Sequence, residues 1–393
     1  MKYFYKILIT FLFVNSSIAI ANAQTVLSEA DRQVMIQQVI KEVLDSVKYE
    51  QPKPFAQLLK SFTISGYIET YYSYDFANPE NHNRQPFVYS HNRHNEVNLN
   101  LSIVKGAYNT GKVRANIAIM AGTYANDNLA AEPGVLKNIF EANAGMKISR
   151  KKSIWIDAGI FASHIGFESA IGKDCWNLTR SILADNSPYY ESGVKLSYTS
   201  DNQKWFVSGL ILNGWQRIYR VNANNTPAFG HQVTFKPNSK ITLNSSSFIG
   251  NDKPDTARQM RYFHNFYGQF QIHKKFAATI GFDIGAEQKS KGSSIYNTWY
   301  SPVLILRVSP NDKLNIAARC EYYRDANAVI IRTGTTNGFQ TFGYSVNFDY
   351  AILDKAVWRI EARGFNSKDE IFILKDKPSN NNYFVTTSLA ISF

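Results

Sequence analysis

Cysteine and charge are both scarce in this sequence, and long apolar runs are almost missing. Two cysteines among 393 residues cannot form a disulfide framework. Only 19% of the residues are charged, whereas 44% are hydrophobic and 14% are aromatic, so the composition excludes a disordered chain. A mean hydropathy of −0.28 and a single long apolar run exclude a bundle of membrane-spanning helices. The chain is instead rich in aromatic residues and carries a net charge of +12.

The one long apolar run lies at the start of the chain. Lys2 and Lys6 accompany a largely apolar stretch at 7–20, and the small-residue triplet Ala21-Asn22-Ala23 follows it. This order is typical of a secretory signal peptide, so we expect residues 1–23 to be removed on export. A membrane-anchoring helix is the alternative, which the shortness of the run disfavours.

Residues 24–60 show a helical hydrophobic period. Apolar residues recur at helical spacing between 36 and 47, Ser28 can cap the start, and Pro52 ends the pattern. We expect one amphipathic helix of about five turns and a linker, a segment too small to fold alone. It could dock on the rest of the chain, pair with copies of itself, meet a periplasmic partner, or be loosely held.

From residue 61 onward the hydrophobic period is two. At 354–366, for example, Trp358 and Ile360 alternate with Arg359 and Glu361. Such alternation gives each strand one apolar and one polar face. The predicted strands lie near 61–75, 95–106, 111–124, 137–149, 152–164, 188–199, 203–216, 227–237, 239–250, 258–273, 275–287, 295–308, 312–324, 338–351, 354–366 and 381–393.

These sixteen segments could build a water-soluble β-sandwich or solenoid, or a membrane barrel. Most are longer than the roughly five or six residues of soluble strands. Their connections alternate strictly between short and long, as expected when one rim faces the periplasm and the other the exterior. Aromatic residues such as Tyr72 and Tyr300 cluster at strand ends, where an interfacial girdle would lie. These features favour the membrane barrel.

The final segment alternates regularly from Tyr383 to Phe393, and its outward-facing aromatic end resembles the assembly signal that the barrel-assembly machinery recognises. The predicted fold is therefore all-β: a transmembrane antiparallel up-and-down β-barrel of about 16 strands over 61–393 in the outer membrane. A short periplasmic helix within 24–60 precedes it.

Several motifs resemble the putative β-barrel porin-2 (OmpL-like) family of Gram-negative outer membranes. The resemblance covers most of the chain after residue 60 and is densest at 66–200. It implies a porin-type barrel but no particular substrate. The motifs include YYSYDF at 71–76, HNRHNEVNLNL at 91–101, AGTY at 121–124, AEPG at 131–134, HIGFE at 164–168 and WNLTRS at 176–181.

A barrel of sixteen strands leaves a lumen wide enough for water and small solutes. We therefore expect a porin, a water-filled channel for passive diffusion of small polar solutes. The alternative is a structural or surface-interaction barrel with a plugged lumen. Active transport is a third option, disfavoured because 24–60 is too short for a plug domain of the usual size. Outer-membrane lipids and further copies of the chain are the other expected partners.

The charged positions of the polar strand faces predict the lining of the lumen. Opposed rings of the two signs would set a transverse field that favours small dipolar solutes, or the residues would simply pair and stiffen the wall. The predicted lining comprises Glu69, Glu96, Arg114, Glu141, Lys147, Asp157, Glu191, Lys195, Arg261, Asp283, Arg307, Arg319, Glu321, Asp349, Arg359, Glu361 and Arg363.

The connection at 165–187 is the strongest candidate for a constriction loop. It carries Glu168, Lys173, Asp174 and Arg180 and follows the fifth predicted strand. It could fold into the lumen or lie across the outer rim, and the sequence does not decide between the two.

Catalytic and metal sites find little support. His82, His91 and His94 share one outer loop but lack a nearby cysteine. Ser163 and His164 are adjacent, so on a strand they would face opposite sides and could not act as nucleophile and base. We expect no enzyme activity, no metal, no cofactor and no nucleic-acid partner.

The positive charge concentrates at the predicted periplasmic turns. Twelve lysines and arginines stand there against three aspartates, whereas the predicted lining holds eight cations and nine acids. The basic excess is therefore expected to meet anionic headgroups of the inner leaflet, and the count predicts little or no anion selectivity.

Overall fold

A computed structural model describes residues 29–49, 60–374 and 376–393. The predicted signal peptide at 1–23 and the linker at 50–59 lie outside the described residues. The chain divides into two compact units, Met1–Lys60 and Ser61–Phe393. The helix predicted in the first unit is present as Glu29–Tyr49. Among the described helices, none combines the length and the apolar character needed to cross a membrane.

The second unit is a closed antiparallel barrel of 16 strands, in which each strand pairs with the next along the chain and the last pairs with the first. The fold predicted from the sequence is confirmed. The barrel strands are β1 Phe62–Asp75, β2 Val97–Asn109, β3 Val113–Ala121, β4 Ile139–Lys147, β5 Ser153–Ala162, β6 Tyr190–Thr199, β7 Trp205–Leu212, β8 Ala228–Asn238, β9 Ile241–Gly250, β10 Arg261–His273, β11 Phe276–Gln288, β12 Tyr296–Val308, β13 Leu314–Asp325, β14 Phe339–Leu353, β15 Ala356–Ser367 and β18 Asn381–Ser392.

Short and long connections alternate around the barrel as predicted, which defines a short-turn rim and a long-loop rim. Most strand ends agree with the alternation pattern to within a few residues. The exception is β7, which ends at Leu212 although the alternation extends to 216. There the backbone turns away from the wall, because Trp215 N donates to Asp252 Oδ1 at 2.9 Å.

The long connections carry small elements of their own that the sequence did not predict. They comprise the hairpin β16 Phe372–Leu374 and β17 Lys377–Ser379, the helices Thr123–Asn128 and Ile182–Asp185, and the 3₁₀ turns Gly134–Asn138, Gly172–Asp174 and Asp255–Ala257.

The barrel closes between β1 and β18, where Tyr67 lies opposite Ser392. Beyond that pair, Gly66 and Phe393 exchange two backbone hydrogen bonds of 2.8 and 3.0 Å. The Phe393 ring covers Gly66, where an added Cβ would collide with it. The last aromatic residue therefore completes the seam on the outer surface.

The two faces of the wall differ as the alternation predicts. Outward positions expose large apolar side chains, among them Ile117, Phe266 and Val346. Inward positions hold the buried polar residues, among them Glu69, Asn100 and Thr386. An apolar belt outside and a polar interior are the arrangement of a membrane barrel.

Candidate functional site: a loop across the lumen

The strand register places sixteen of the seventeen predicted lining residues on the inner face. The exception is Glu96, which the prediction placed inside a strand. It lies before β2 instead and pairs with Arg93 at 2.7 Å in the outer loop. The sixteen inner-face residues are Glu69, Arg114, Glu141, Lys147, Asp157, Glu191, Lys195, Arg261, Asp283, Arg307, Arg319, Glu321, Asp349, Arg359, Glu361 and Arg363.

Four of these charges form one buried cluster on the inner wall. Arg319 and Glu321 come from β13, and Glu361 and Arg363 come from β15. Arg319 Nη2 lies 3.0 Å from Glu361 Oε1, and Arg363 Nη2 lies 2.5 Å from Glu321 Oε1. All four side chains are essentially inaccessible to water. We call them the wall cluster.

The wall cluster is possible because the strand between its two halves is lined by small residues. Ser345 of β14 lies between Arg319 and Arg363, and Gly343 lies opposite Glu321. An added Cβ on Gly343 would come within 2.8 Å of the Glu321 side chain. Small inward residues on β14 therefore let long side chains from β13 and β15 meet above it.

The wall cluster holds a loop that enters the lumen. The connection from β5 to β6, residues 163–189, is here called the luminal loop. Thr179 donates from its backbone N–H to Glu361 Oε2 at 2.6 Å and from its hydroxyl at 2.9 Å. Arg319 donates to the Thr179 carbonyl at 2.7 Å, and Ile182 N donates to Glu321 at 2.6 Å. Backbone groups of the loop thus satisfy the buried charges of the wall.

A second group of contacts fixes the earlier part of the luminal loop. Arg359 donates to the carbonyls of Gly172 at 2.6 Å and Cys175 at 2.9 Å, while Asp349 orients its guanidinium at 2.6 Å. Asn347 accepts from Leu178 N at 3.0 Å. The loop is therefore bound to β13, β14 and β15 from Gly172 to Ile182.

The four residues predicted for a constriction have two different placements within the luminal loop. Arg180 is fully buried and donates to carbonyls of the loop itself, and Glu168 accepts from Ser181. Lys173 and Asp174 are exposed instead, and Lys173 Nζ lies 3.1 Å from Ser392 Oγ. The first two hold the shape of the loop, and the last two reach the water of the lumen.

The loop enters the lumen at Ser163 and His164, which corrects an expectation from the sequence. The two side chains were expected on opposite faces of a strand, but β5 ends at Ala162 and both reach Glu191, at 3.1 and 2.8 Å. His164 Nε2 lies 2.8 Å from the Ser247 carbonyl oxygen. Because both partners can only accept, both ring nitrogens donate. Burial by itself lowers the pKa of His164, but the neighbouring Glu191 carboxyl raises it by more, so the pKa lies above its ordinary value.

Burial also shifts two titratable groups inside the luminal loop. It raises the pKa of the Asp185 carboxyl to about 7, although three arginines nearby act in the opposite direction. It raises the pKa of the Cys175 thiol to about 11. Cys175 is a free thiol, and no group of three or more His, Cys, Asp or Glu side chains among the described residues is placed to hold a metal. Of the outer-loop histidines, His94 accepts from Asp75 N at 2.9 Å and His82 Nδ1 lies 3.0 Å from the His94 carbonyl oxygen. His91 Nε2 lies 3.4 Å from Glu69, and neither ring nitrogen of His91 has a hydrogen-bond partner among the described residues.

The space around the luminal loop is divided unequally. Toward the long-loop rim, buried apolar side chains fill the lumen, including Phe87, Ile182 and Phe365. Toward the short-turn rim, cavities of about 290 and 360 Å³ remain, both bordered by Lys173 and Asp174. The described conformation is therefore open toward the short-turn rim and packed toward the other.

Alternation in the sequence finds the charged wall residues but misses the neutral ones that receive the loop. Ser345 and Asn347 occupy inward positions of β14 and bind Asn177 and Leu178. The same period-two pattern could have marked them as inward-facing. Thr179 lies within the WNLTRS motif at 176–181, but nothing in that motif marks it as the residue with the most hydrogen bonds to the wall cluster.

The barrel is similar to several solved structures at low sequence identity. The chain is similar to an anion-selective porin from Comamonas acidovorans, with a TM-score of 0.56, 8% identity, and coverage of 85% of this chain and 99% of that one. It is also similar to OprB of Pseudomonas putida (TM-score 0.55, 9% identity, 87% and 96% covered). A third similar structure is the outer-membrane channel DcaP of Acinetobacter baumannii, with a TM-score of 0.54, 11% identity, and coverage of 84% of this chain and 97% of that one. At such identities the likeness shows the fold alone.

The family comparison is more specific. No curated protein matches the chain. The sequence profile of the family described as "Putative beta-barrel porin-2, OmpL-like" matches residues 61–393, which is the entire barrel. The predicted resemblance and the outer-membrane location are thereby confirmed, and the chain belongs to the OmpL-like β-barrel porin-2 family of outer-membrane proteins.

Proposed function

We propose that this barrel is a diffusion channel for small polar solutes and that the luminal loop forms its constriction. The observation that supports the proposal is the attachment of the loop to the wall cluster, which leaves a polar, charge-lined space beside it. A polar wall with a narrow region and no tight binding site is what passive diffusion requires. The proposal contains no enzymatic step, cofactor or metal.

One observation favours the second candidate, a barrel with a structural or surface-interaction role. The apolar packing of Phe87, Ile182 and Phe365 fills the lumen toward the outside. If that packing persists in the membrane, solutes could not cross. Outer loops would then carry the function by contacting a partner at the surface.

Liposome swelling with small sugars and amino acids separates the two candidates. We expect swelling with the wild type and faster swelling after deletion of residues 170–184, because the deletion removes the attached part of the luminal loop. Swelling only after the deletion would indicate a plugged barrel. An absence of swelling in both folded proteins would exclude the channel.

We further propose a mild preference for anions, which the count of charges does not predict. In two ion pairs of the inner wall the cation reaches water more than the acid: Lys105 is 32% exposed against 15% for Glu141, and Arg114 is 32% exposed against 6% for Asp157. Long basic side chains extend toward water more easily than short carboxylates. A zero-current potential in a salt gradient tests the proposal, and cation preference would contradict it.

The remaining partners are proposals as well. Tyr383 and Phe393 face outward at the two ends of β18, as an assembly signal read by the barrel-assembly machinery would require. Association into homo-oligomers in the membrane is compatible with the exposed apolar belt. Chemical cross-linking in native membranes would detect it.

A further inference from the structure

Four polar side chains lie together on the outer, lipid-facing surface of the barrel. They are His231 of β8, Ser245 and Ser247 of β9, and His264 of β10. Ser247 lies opposite His231 on one side and opposite His264 on the other. We call them the His–Ser cluster. Such a group is unusual, because the outward residues of a membrane barrel are normally apolar.

The outward position of the cluster follows from the residues that alternate with and flank it. Phe229, Ile249 and Phe266 occupy the same face of the three strands and are 40–47% exposed. The inward residues of these strands, such as Asn244 and Asn265, are buried inside the barrel. The cluster therefore contacts lipid and not the lumen.

Each histidine is held by one serine. Ser247 Oγ lies 2.6 Å from His231 Nδ1, and Ser245 Oγ lies 2.9 Å from His264 Nε2. The His264 ring also stacks on Phe266 with a centroid distance of 4.0 Å, and the two imidazoles meet edge to face at 5.5 Å. The four side chains thus have a fixed arrangement.

One nitrogen on each ring is left over. Neither His231 Nε2 nor His264 Nδ1 has a hydrogen-bond partner among the residues that the structure describes. A polar N–H without a partner costs several kcal/mol in hydrocarbon, so a group from outside the chain is needed. Beside His231 there is room for it, because Gly209 lies opposite and an added Cβ there would meet nothing within 4 Å.

The depth of the cluster indicates what that group is. Tyr262 is the next outward residue of β10 toward the long-loop rim, and its ring meets Tyr296 edge to face at 6.0 Å. Aromatic girdles lie at the level of the lipid headgroups. Two residues along a tilted strand place His264 about 5 Å below that level. The cluster therefore lies just below the headgroups, close enough for a lipid phosphate or ester group to contact it.

Two other uses of these residues are less suited to the geometry. A metal would need further ligands, and the two histidines have only serines beside them. A nucleophilic serine would need an orienting carboxylate or amide on the second ring nitrogen and free backbone donors for an oxyanion. Neither is present around the cluster, where the strand amides belong to the sheet.

We propose that the His–Ser cluster binds the phosphate group of a membrane lipid at the interface on the long-loop side. Ring N–H groups of His231 and His264 donate to phosphate oxygens, and such charge-assisted hydrogen bonds are stronger than neutral ones. Because the cluster contains no acidic side chain, no negative charge within it repels the phosphate. This site is independent of any passage through the lumen.

Native mass spectrometry of the full-length barrel in detergent tests the proposal, with dioleoylphosphatidylglycerol as the probe. The variant is His231→Leu with His264→Leu, which keeps the lipid-facing surface apolar. The matched control is Thr70→Leu with Thr298→Leu, two outward polar residues elsewhere on the belt. We expect about a tenfold weaker retention of the lipid in the histidine variant and no change in the control.

A second probe, dioleoylglycerol, has the same ester groups but no phosphate. Equal retention of the two lipids by the wild type would overturn the proposal, as would unchanged retention in the histidine variant. Covalent labelling of Ser245 or Ser247 by a fluorophosphonate would overturn the lipid-binding proposal and indicate a nucleophilic serine instead. If the histidine variant lost an oligomer but kept its lipid binding, the proposal would also be overturned, and the cluster would be a contact between copies of the chain. A gel-shift assay on unheated samples verifies that each variant is folded.

Discussion

Replacement of Glu361 by glutamine should release the luminal loop from the wall. Glu361 is fully buried and accepts from Thr179 N at 2.6 Å, from the Thr179 hydroxyl at 2.9 Å and from Arg319 at 3.0 Å. Glutamine has nearly the same volume but carries no charge, so Arg319 loses one of its partners. Thr179 also loses a charged acceptor for its two hydrogen bonds, and a hydrogen bond to a charged group contributes about 1.5–3 kcal/mol. Because glutamine still accepts through its amide oxygen, we take about 3 kcal/mol for the two bonds together.

A cost of about 3 kcal/mol raises the open fraction of the loop by more than about a hundredfold. Hydrogen exchange measures this directly, because the amide protons of Thr179 and Ile182 are donated to wall carboxylates. Both amides should exchange at least about a hundredfold faster in Glu361→Gln. Asp201→Asn, at an exposed pair with Lys152 in a short turn, should leave them unchanged. Unchanged exchange in Glu361→Gln would refute the assignment of the wall cluster as the anchor of the loop.

Three further outcomes follow from groups at the loop and at the seam. Burial raises the pKa of Asp185 from 3.8 to about 7, so the docked loop binds a proton that the released loop gives up, and docking weakens as the pH rises through 7. The protection factors of the loop amides, which remove the hydroxide-catalysed rise of intrinsic exchange, should therefore be lower at pH 8 than at pH 6, and Asp185→Asn should abolish that difference. Cys175, with its pKa raised to about 11, should react with a maleimide only slowly in a Cys320→Ala background and much faster when the loop is released. Phe393→Ala should lower the yield of folded barrel in a gel-shift assay, and the outward-facing control Ile391→Ala should have a smaller effect.

The barrel itself was predictable because the alternation of polar and apolar residues within each strand shows which side of that strand faces inward. In β13 the alternation of Arg319 and Glu321 with Ala318 and Cys320 identifies the inner face without any knowledge of the neighbours. The alternation is especially regular in membrane barrels, because one face of each strand contacts lipid and the other contacts the polar interior. Strand number, inner-face charges and connection lengths all follow from this local rule.

The luminal loop was predicted as the connection at 165–187, but its contacts with the wall were not predictable, because they depend on closure of the barrel. Thr179 and Glu361 are 182 residues apart, and no local pattern relates a loop to a wall that forms later in the chain. The two mistakes near strand ends have the same origin. Ser163 and His164 continue the pattern of β5 but turn inward to Glu191, and Glu96 continues that of β2 but pairs with Arg93. In each case a side-chain contact at the strand end overrides the local period.

The charge of the lumen shows how burial changes a conclusion drawn from counting. The predicted lining holds almost equal numbers of acids and bases, which suggests a neutral channel. However, Glu321 and Glu361 each form an ion pair with a buried arginine and accept a hydrogen bond from a backbone N–H group of the luminal loop. Lys147, Lys195 and Arg307 are half-buried and form no ion pair among the described residues. In the proposed channel a solute would therefore meet more unpaired bases than the count suggests, because Glu321 and Glu361 hold the luminal loop in place.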